Sequence, residues 1–442
     1  MEKLVITGGN ILHGNMRVSG AKNAALKVLV AACLTSEKVT IHNVPLISDF
    51  YVMVDILEEL GASVSLNDHS LTIQMKEFKK KGISIEKAAL ARASVMFIAP
   101  LLVRAGEAII PNPGGCRLGA RPVDRLIEGI ERMNTSVTYL SEDGYFHAKT
   151  SGLKGIEYIF NKNTHVGTET MILAAVCATG TTILKNAAEE PEIDDLITLL
   201  NTMGGKITRS NKREITIIGV DTLHGGQVTI QPDRNEIVTF AVAAIVTKGD
   251  IFIEDAQRVD LQAFLQKLDE TNGGYEKKEN GIRFFYKGPL KSVDVTTQIY
   301  PGFMTDWQAP WAVLMTQATG TAVVHETVSE NKMGYIKDLK KMGAKVQLFN
   351  PQISNAEDIY NFNLSDNDPS YYHAARISGP TQLHDGVLTT LDIRAGAGVV
   401  LAALAAKGTS TIYGVEKLDR GYEQFETRLT ELGADITRIN GE

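Results

Sequence analysis

The sequence is poor in cysteine, has no long apolar run and carries no excess of positive charge. Its three cysteines, Cys33, Cys116 and Cys177, are too few for a disulfide framework. The apolar run from Ala395 to Ala406 has about a dozen residues, whereas a membrane-spanning helix needs about 20. The first residues lack the apolar core of a signal peptide. The net charge of −7 argues against general nucleic-acid binding. We therefore expect a cytoplasmic protein that neither crosses a membrane nor binds nucleic acid.

Two common kinds of ligand site are also missing from the sequence. No group of potential ligands has the spacing of a metal site, and no Gly-x-x-x-x-Gly-Lys loop is present to hold a nucleotide phosphate. What is present is a chain of 442 residues, 44% hydrophobic and 22% charged, which is the composition of a folded globular protein. That length allows roughly two or three domains, or one array of repeats.

A helix that ends in a turn recurs along the chain. The turns fall at Gly61, Asn134, Gly204, Gly273, Gly343 and Gly433. Glycine at this place caps a helix in the left-handed conformation, and an apolar strand follows. The spacing is close to 70 residues except for a last unit of 90, in which the polar stretch 350–368 is the expected inserted surface loop. Six copies at nearly constant spacing argue against chance similarity within an ordinary α/β protein.

A second element recurs at the same period, namely a helix that is apolar on most sides and is followed by a strand. The six copies span 23–41, 94–110, 170–183, 237–253, 307–324 and 393–412. Helices of this kind are buried rather than amphipathic. Six units of buried helix, strand, outer helix and strand predict an α/β protein of two domains with three repeats each. The apolar helices would lie inside and the sheets outside, and the halves would meet near Gly225-Gly226 and Pro232.

The buried helices begin with polar or charged residues, which suit a helix end better than a helix interior. These starts are Lys22-Asn23, Arg92, Asp233-Arg234, Thr305-Asp306 and Asp392-Ile393-Arg394. If the helices of a domain are parallel, their N-termini and the added cations would attract phosphate and carboxylate groups. The alternative is helix capping with surface salt bridges, and for Asp233 both interpretations stay open.

Residues 111–124 contain three prolines and three glycines and are therefore expected to form a loop. Cys116 lies in it, flanked by Arg117 and Arg121. Nearby cations lower the pKa of a thiol and make it reactive, so Cys116 is a candidate for chemistry rather than for packing. Cys33 and Cys177 lie in apolar helices and are expected to pack in the core.

Motifs along essentially the whole chain resemble those of the enolpyruvyl transferases. The matching motifs are Gly20-Ala21-Lys22-Asn23, Arg92-Ala93-Ser94, Pro113-Gly114-Gly115-Cys116, Gly119-Ala120-Arg121-Pro122-Val123-Asp124, Glu190-Pro191-Glu192-Ile193, Pro232-Asp233-Arg234, Thr305-Asp306-Trp307-Gln308 and Asp419-Arg420-Gly421-Tyr422. The resemblance implies two inside-out α/β domains of three repeats each, 22–230 and 1–21 plus 231–442, with the active site in the cleft between them. It is strongest to the branch that acts on UDP-N-acetylglucosamine. The branch that acts on shikimate 3-phosphate lacks the cysteine loop.

The resemblance implies transfer of the enolpyruvyl group of phosphoenolpyruvate to the 3′-hydroxyl of UDP-N-acetylglucosamine, with release of phosphate. This reaction is the first committed step of peptidoglycan precursor synthesis. Lys22, Arg121 and Arg420 match the family's ligands for phosphoenolpyruvate. Cys116 matches the general acid, which also forms a covalent adduct with phosphoenolpyruvate and is alkylated by fosfomycin. Asp306 matches the base that takes the proton of the sugar hydroxyl.

The resemblance also assigns the acceptor site, and it implies neither a cofactor nor a metal because cations take that role. The residues matched to substrate binding are Asn23, Arg92, Arg121, Pro122, Val123, Asp124, Arg125, Asp306, Val328 and Arg394. The chain departs from the family's pattern at Ser48, Leu126, Asn163, His165 and Lys332. Because these positions would mostly touch uridine or diphosphate, two alternatives remain: an enolpyruvyl transferase with a different acceptor, and a non-catalytic paralogue that binds a nucleotide sugar. The sequence leaves the oligomeric state unknown.

Overall fold

The computed structural model describes residues 2–112 and 123–440. They divide into two compact units. The mid-chain unit comprises residues 20–112 and 123–231, and the terminal unit comprises residues 2–19 and 232–440. The predictions made for Cys116, Arg117, Arg121 and Pro122 lie outside the described residues.

The described residues form fourteen α-helices. They are α1 Lys22–Ala31, α2 Ser48–Leu60, α3 Ile85–Leu90, α4 Ile98–Ala105, α5 Asp124–Arg132, α6 His165–Ala175, α7 Pro191–Thr202, α8 Arg234–Val246, α9 Gln262–Glu270, α10 Gln308–Thr316, α11 Ile336–Lys341, α12 Ala356–Ile359, α13 Ile393–Ala405 and α14 Phe425–Glu431. Short 3₁₀-helices at Arg92–Phe97 and Thr305–Trp307 lead into α4 and α10. None of these helices is both long and apolar enough to span a membrane.

The strands of the described residues form six sheets. They are β1 Lys3–Thr7, β2 His13–Arg17, β3 Lys38–His42, β4 Ser63–Asn67, β5 Ser70–Gln74, β6 Glu107–Pro111, β7 Thr135–Leu140, β8 Tyr145–Thr150, β9 Glu157–Ile159, β10 Thr181–Lys185, β11 Lys206–Asn211, β12 Glu214–Ile218, β13 Gly226–Thr229, β14 Asp250–Glu254, β15 Gly274–Lys278, β16 Gly281–Phe285, β17 Val295–Thr296, β18 Gly320–His325, β19 Lys345–Phe349, β20 Ala374–Gly379, β21 Val387–Thr389, β22 Thr409–Tyr413 and β23 Asp435–Ile439.

Each predicted repeat corresponds to one sheet and two helices. The buried helices are α1, α4, α6, α8, α10 and α13. Each leads into a central strand of its four-stranded sheet, except that α4 leads into β6, an edge strand of the three-stranded sheet β6-β8-β7. In α8 all thirteen residues from Arg234 to Val246 are buried, because the helix is apolar on every side. The amphipathic helices α2, α5, α7, α9, α11 and α14 come next in each repeat. The predicted burial of the apolar helices is confirmed.

The sheets of the described residues contain more strands than the two per repeat that the sequence analysis predicted, since five of them have four strands and one has three. After the amphipathic helix the chain forms a hairpin rather than a single strand, as β4 and β5 do through the antiparallel pairing of Asn67 with Ser70. The second hairpin strand pairs antiparallel with the strand that follows the buried helix, as β5 does with β3. An edge strand completes most sheets by parallel pairing, as β13 does with β3. The additional strands were not predicted because polar residues at edge positions obscure the alternation of apolar and polar side chains that marks a strand.

The turn after α9 corrects a second prediction. Gly61 has the expected left-handed φ of 114° after α2. After α9, however, the residue with positive φ is Asn272 at 66°, and not the predicted Gly273. Asparagine tolerates this conformation better than most non-glycine residues, which is why it can replace the expected glycine.

The last repeat is completed by the beginning of the chain. Strand β1 lies between β22 and β23 and pairs antiparallel with both, so that Lys3 faces Tyr413 on one side and Ile439 on the other. The residues before the mid-chain unit therefore belong to the terminal unit because they supply a central strand to its sheet.

The predicted insertion connects the hairpin strands β19 and β20. It contains α12 and is fastened by aromatic side chains that turn inward. Tyr360 and Phe362 are 7% and 6% exposed, and both rings pack on His373. The extra residues of the last unit are thus a loop with its own small core.

Candidate active site

Two buried helices of the terminal unit begin at aspartates that cap them. Asp233 precedes α8, and its carboxylate accepts hydrogen bonds from two backbone N–H groups of the first turn. Asp392 precedes α13 and accepts two such bonds in the same way. Asp233 also lies 3.6 Å from the guanidinium of Arg394, in the first turn of α13. Asp233 therefore caps α8, as the capping interpretation expects, but its ion pair with Arg394 is buried and does not lie at the surface.

Arg394 is the cation at the centre of these helix starts. It is 6% exposed, and its guanidinium lies over the ring of Tyr422 at 5.0 Å. The hydroxyl of Tyr422 in turn shares a hydrogen bond of 2.8 Å with Thr239 of α8. Burial alone would lower the pKa of Arg394, but Tyr422, Asp233 and Asp306 outweigh it and raise the pKa above its usual value. Arg394 is therefore a fixed positive charge.

Asp306 lies at the start of the third buried helix of the terminal unit. It is part of the 3₁₀-helix Thr305–Trp307 that leads into α10, and its side chain is 23% exposed. The ammonium of Lys332 lies 3.8 Å from its carboxylate and is itself 7% exposed. A partly exposed carboxylate can be reached by a hydroxyl group, and a general base must lie within hydrogen-bond reach of the proton that it takes.

Two further predicted residues of the terminal unit lie in loops. Val328 follows β18 and is partly exposed, and its backbone N–H donates to Glu326 at 2.8 Å. Arg420 lies in the turn before α14 and is partly buried.

The start of α1 carries the predicted donor ligand of the mid-chain unit. Lys22 is the first residue of the helix, and its ammonium lies 2.7 Å from the carboxylate of Asp49 in α2. Asn23 follows it and is partly exposed. Arg92 begins the 3₁₀-helix that packs on both α1 and α6. The predicted residues Lys22, Asn23 and Arg92 thus belong to helices that pack together within one unit.

Charged side chains in contact with one another connect α1 to α6. The ammonium of Lys27 lies 3.3 Å from one carboxylate oxygen of Glu169, and Nε2 of His165 lies 3.1 Å from the other. The side chains of Lys27 and Glu169 are 5% and 0% exposed, whereas that of His165 is 23% exposed. Burial alone lowers the pKa of His165, but Glu169 outweighs it, so the pKa is raised, with Lys27 opposing and Glu190 adding to the rise. We call Lys27, Glu169 and His165 the buried triad.

Three of the residues predicted to bind substrate, Val123, Asp124 and Arg125, lie at the start of α5. Val123 and Arg125 are partly exposed and Asp124 is exposed. Arg125 donates to the backbone carbonyl of Asn163 at 3.5 Å, so it reaches the segment that precedes α6. Leu126 is 3% exposed and belongs to the core.

Several neighbours of the predicted residues were missed by the sequence analysis. Lys27 and Glu169 were available as charged residues inside otherwise apolar helices, a pattern that requires a partner. Glu326 gave no such signal, because it simply follows an apolar strand. In the part of the chain that the structure describes, no cluster of His, Cys, Asp or Glu has the arrangement of a metal site.

A family model and several named proteins are similar to this chain. The model described as EPSP synthase (3-phosphoshikimate 1-carboxyvinyltransferase) matches residues 6–429. A UDP-N-acetylglucosamine 1-carboxyvinyltransferase of Protochlamydia amoebophila is 40% identical over 449 residues, which cover 100% of this chain and 95% of that protein. A protein of the same name from Koribacter versatilis is 39% identical, with 99% of this chain and 97% of that one covered.

Solved structures resemble the fold over the whole chain. The enolpyruvyl transferase NikO from Streptomyces tendae has a TM-score of 0.87 at 24% identity and covers 100% of this chain and 99% of its own. EPSP synthase from Acinetobacter baumannii has a TM-score of 0.74 at 16% identity, with 100% of both chains covered. The predicted fold class is confirmed by these structures.

Proposed function

The chain belongs to the EPSP synthase family of enolpyruvyl transferases, and from this premise we propose that it transfers the enolpyruvyl group of phosphoenolpyruvate to the 3′-hydroxyl of UDP-N-acetylglucosamine and releases phosphate. The observation that carries the proposal is the 40% identity, over the full chain, to a relative named for carboxyvinyl transfer and for UDP-N-acetylglucosamine. The reaction would supply peptidoglycan precursors. Because its substrates are intracellular metabolites, the cytoplasm is the proposed compartment.

The proposed mechanism adds the acceptor hydroxyl to the double bond and then eliminates phosphate. Lys22, Arg121 and Arg420 hold the phosphate and carboxylate of phosphoenolpyruvate, and Cys116 protonates its methylene carbon. Asp306 takes the proton of the 3′-hydroxyl. The partial exposure of the Asp306 side chain supports this role, because a general base must lie within reach of the proton that it takes.

Further predicted residues are assigned to the acceptor in this proposal. Asn23 and Arg92 contact the sugar, and Arg394 keeps positive charge beside the base. The nucleotide is held by Arg121, Pro122, Val123, Asp124, Arg125 and Val328.

A related acceptor is the second candidate, and one region favours it. The departure at Leu126 has no bearing on substrate, because this side chain is buried in the core. The segment around Asn163 and His165 is different, since Arg125 reaches it and the buried triad ends there. A change of acceptor would therefore act through this segment.

The proposed function is tested by measuring phosphate release from phosphoenolpyruvate with a panel of acceptors. The panel comprises UDP-N-acetylglucosamine, UDP-glucose, free N-acetylglucosamine, shikimate 3-phosphate and no acceptor. We expect release with UDP-N-acetylglucosamine and formation of its enolpyruvyl ether, seen by mass spectrometry. Turnover with another acceptor alone would establish the second candidate, and no turnover with any of them would contradict the proposal.

Cys116 is expected to be the one thiol that fosfomycin alkylates, with a rate that rises with pH and is increased by the acceptor. The other two cysteines serve as internal controls. Burial raises the pKa of the Cys177 thiol to about 11, and it raises the pKa of Cys33 further still, so neither supplies much thiolate near neutral pH. Peptide mass mapping after limited alkylation measures the result. Equal labelling of all three cysteines, or protection of Cys116, would contradict a catalytic role for Cys116.

A further inference from the structure

Glu326 is a buried carboxylate that collects four hydrogen bonds from two segments. It follows β18 and is 1% exposed. Its Oε2 accepts from Thr305 Oγ1 at 2.9 Å and from Nε2 of Gln308. Its Oε1 accepts from the backbone N–H groups of Val328 and Ser329, both at 2.8 Å. Each oxygen therefore serves one segment.

The two segments are those that carry proposed substrate-contacting residues. Thr305 and Gln308 flank Asp306 at the start of α10. Val328 itself donates to the other oxygen. A single planar carboxylate thus fixes the distance between the turn that holds the base and the loop that holds the acceptor contact. Nothing in the family motifs of the sequence analysis assigns a role to this residue.

Burial and the hydrogen-bond donors act in opposite directions on the Glu326 carboxyl. Burial raises the pKa of Glu326 above its ordinary value, while Ser329, Val328, Lys332 and Thr305 act in the opposite direction. A buried carboxylate costs free energy unless it is hydrogen-bonded, and Glu326 accepts four hydrogen bonds. The pKa of Tyr335 is also raised, first by burial and then by its electrostatic interaction with Glu326.

We propose that Glu326 is a positioning residue of the transferase, which holds Asp306 and Val328 in the relative position that acceptor deprotonation requires. The proposal rests on the proposed function, because Asp306 and Val328 are assigned their roles there. Glu326 is 1% exposed, so in this proposal it acts through the residues that it binds and not on the substrate. Small displacements of a catalytic group reduce rate strongly, by about 10²-fold for about 1 Å.

The test is Glu326→Gln, which keeps the shape of the side chain and one acceptor oxygen. The amide NH₂ group cannot accept, so one of the two segments loses its anchor whichever way the amide turns. We expect kcat for phosphate release to fall about 10²-fold, the KM for the acceptor to rise, and the KM for phosphoenolpyruvate to stay within about threefold, since the donor contacts are left in place. Fosfomycin alkylation of Cys116 in the absence of acceptor should keep its wild-type rate.

Two control variants distinguish a positioning role of Glu326 from a general effect on the protein, and turnover by the wild type tests the proposed function separately. Glu254→Gln makes the same chemical change at an exposed residue that ends β14, and we expect wild-type kinetics. The double variant Thr305→Val/Glu326→Gln should lose less than the sum of the single effects, because both changes break one contact. Wild-type turnover with an acceptor of the panel establishes the proposed function independently of Glu326.

The outcomes of this test are distinct. A loss of kcat at unchanged folded fraction, measured by thermal unfolding, supports the proposal. A loss that merely follows the fraction of unfolded protein, an equal rise of both KM values, or wild-type kcat in Glu326→Gln would overturn it. If Glu326→Gln does not fold, Thr305→Val alone tests the proposal. This variant removes one donor from Oε2 of Glu326. It should still lower kcat without changing the KM for phosphoenolpyruvate, and wild-type kcat would overturn the proposal.

Discussion

Asp306→Asn is expected to release phosphate about 10²–10⁴-fold more slowly than the wild type, the range usual for loss of a general base. The amide keeps the size and hydrogen-bonding shape of the carboxylate but cannot take the proton of the acceptor hydroxyl. Binding of phosphoenolpyruvate should not weaken, since the change removes a negative charge from beside Lys332 and near Arg394. Phosphoenolpyruvate should therefore still form its adduct with Cys116. Steady-state phosphate release and intact-protein mass spectrometry measure the two halves of the prediction.

The matched control for this variant is Asp435→Asn. Asp435 is exposed at the start of β23 in the same unit, so the same substitution removes the same charge without touching the site. We expect wild-type turnover from it. Near wild-type turnover in Asp306→Asn would remove Asp306 from the role of base, and loss of the Cys116 adduct would mean that Asp306 acts on the donor instead.

Glu169→Leu is expected to lower the free energy of unfolding by about 3–5 kcal/mol, the usual effect of removing one partner of a buried ion pair. The substitution leaves Lys27 charged at 4% exposure, with no carboxylate of the buried triad to compensate it. The double variant Lys27→Met/Glu169→Leu should recover most of this loss, because apolar side chains of similar volume often replace a buried pair without cost. Urea unfolding followed by circular dichroism gives the free energies.

An exposed ion pair of the same unit provides the control for the triad. Glu157 lies 2.6 Å from Lys185 in a pair whose side chains are 53% and 38% exposed. Glu157→Leu should change stability by no more than about 1 kcal/mol, because solvent screens such pairs. A small effect of Glu169→Leu, or no recovery in the double variant, would contradict the interpretation of the triad as a costly but matched set of charges.

Glu169→Leu should also remove a pH dependence of the free energy of unfolding. The pKa of His165 is raised in the folded protein, so its contribution is fully present below the unfolded value of about 6.5 and is lost as pH rises through the folded value. The pKa values of His325 and His373 are lowered by burial, and their contributions change only below about 6.5. We therefore compare the free energy of unfolding of the two proteins above about pH 6.5. A decline with rising pH in the wild type that is absent from Glu169→Leu is the contribution of His165.

The sequence by itself determined the repeated architecture and supplied most of the residues that are proposed for the site. A helix that is apolar on every side, such as α8, can only be buried, and a glycine such as Gly61 marks the end of the helix before it. These signals are local, since they depend on neighbours within a few turns. The cysteine loop and the motif at Thr305-Asp306 were likewise readable as short stretches of sequence. A motif formed by contiguous residues can thus be identified from the sequence without knowledge of the tertiary structure.

Only the tertiary structure decided which charges meet. Lys27 and Glu169 belong to different repeats, and Asp233 and Arg394 start different helices, so no spacing along the chain connects them. The placement of β1 between β22 and β23 joins the two ends of the sequence in one sheet. Glu326 acquires its four donors from α10 and from its own loop only when β18 places them together. Burial makes such contacts obligatory, because a charge removed from water must find its partner wherever the fold brings one within about 4 Å.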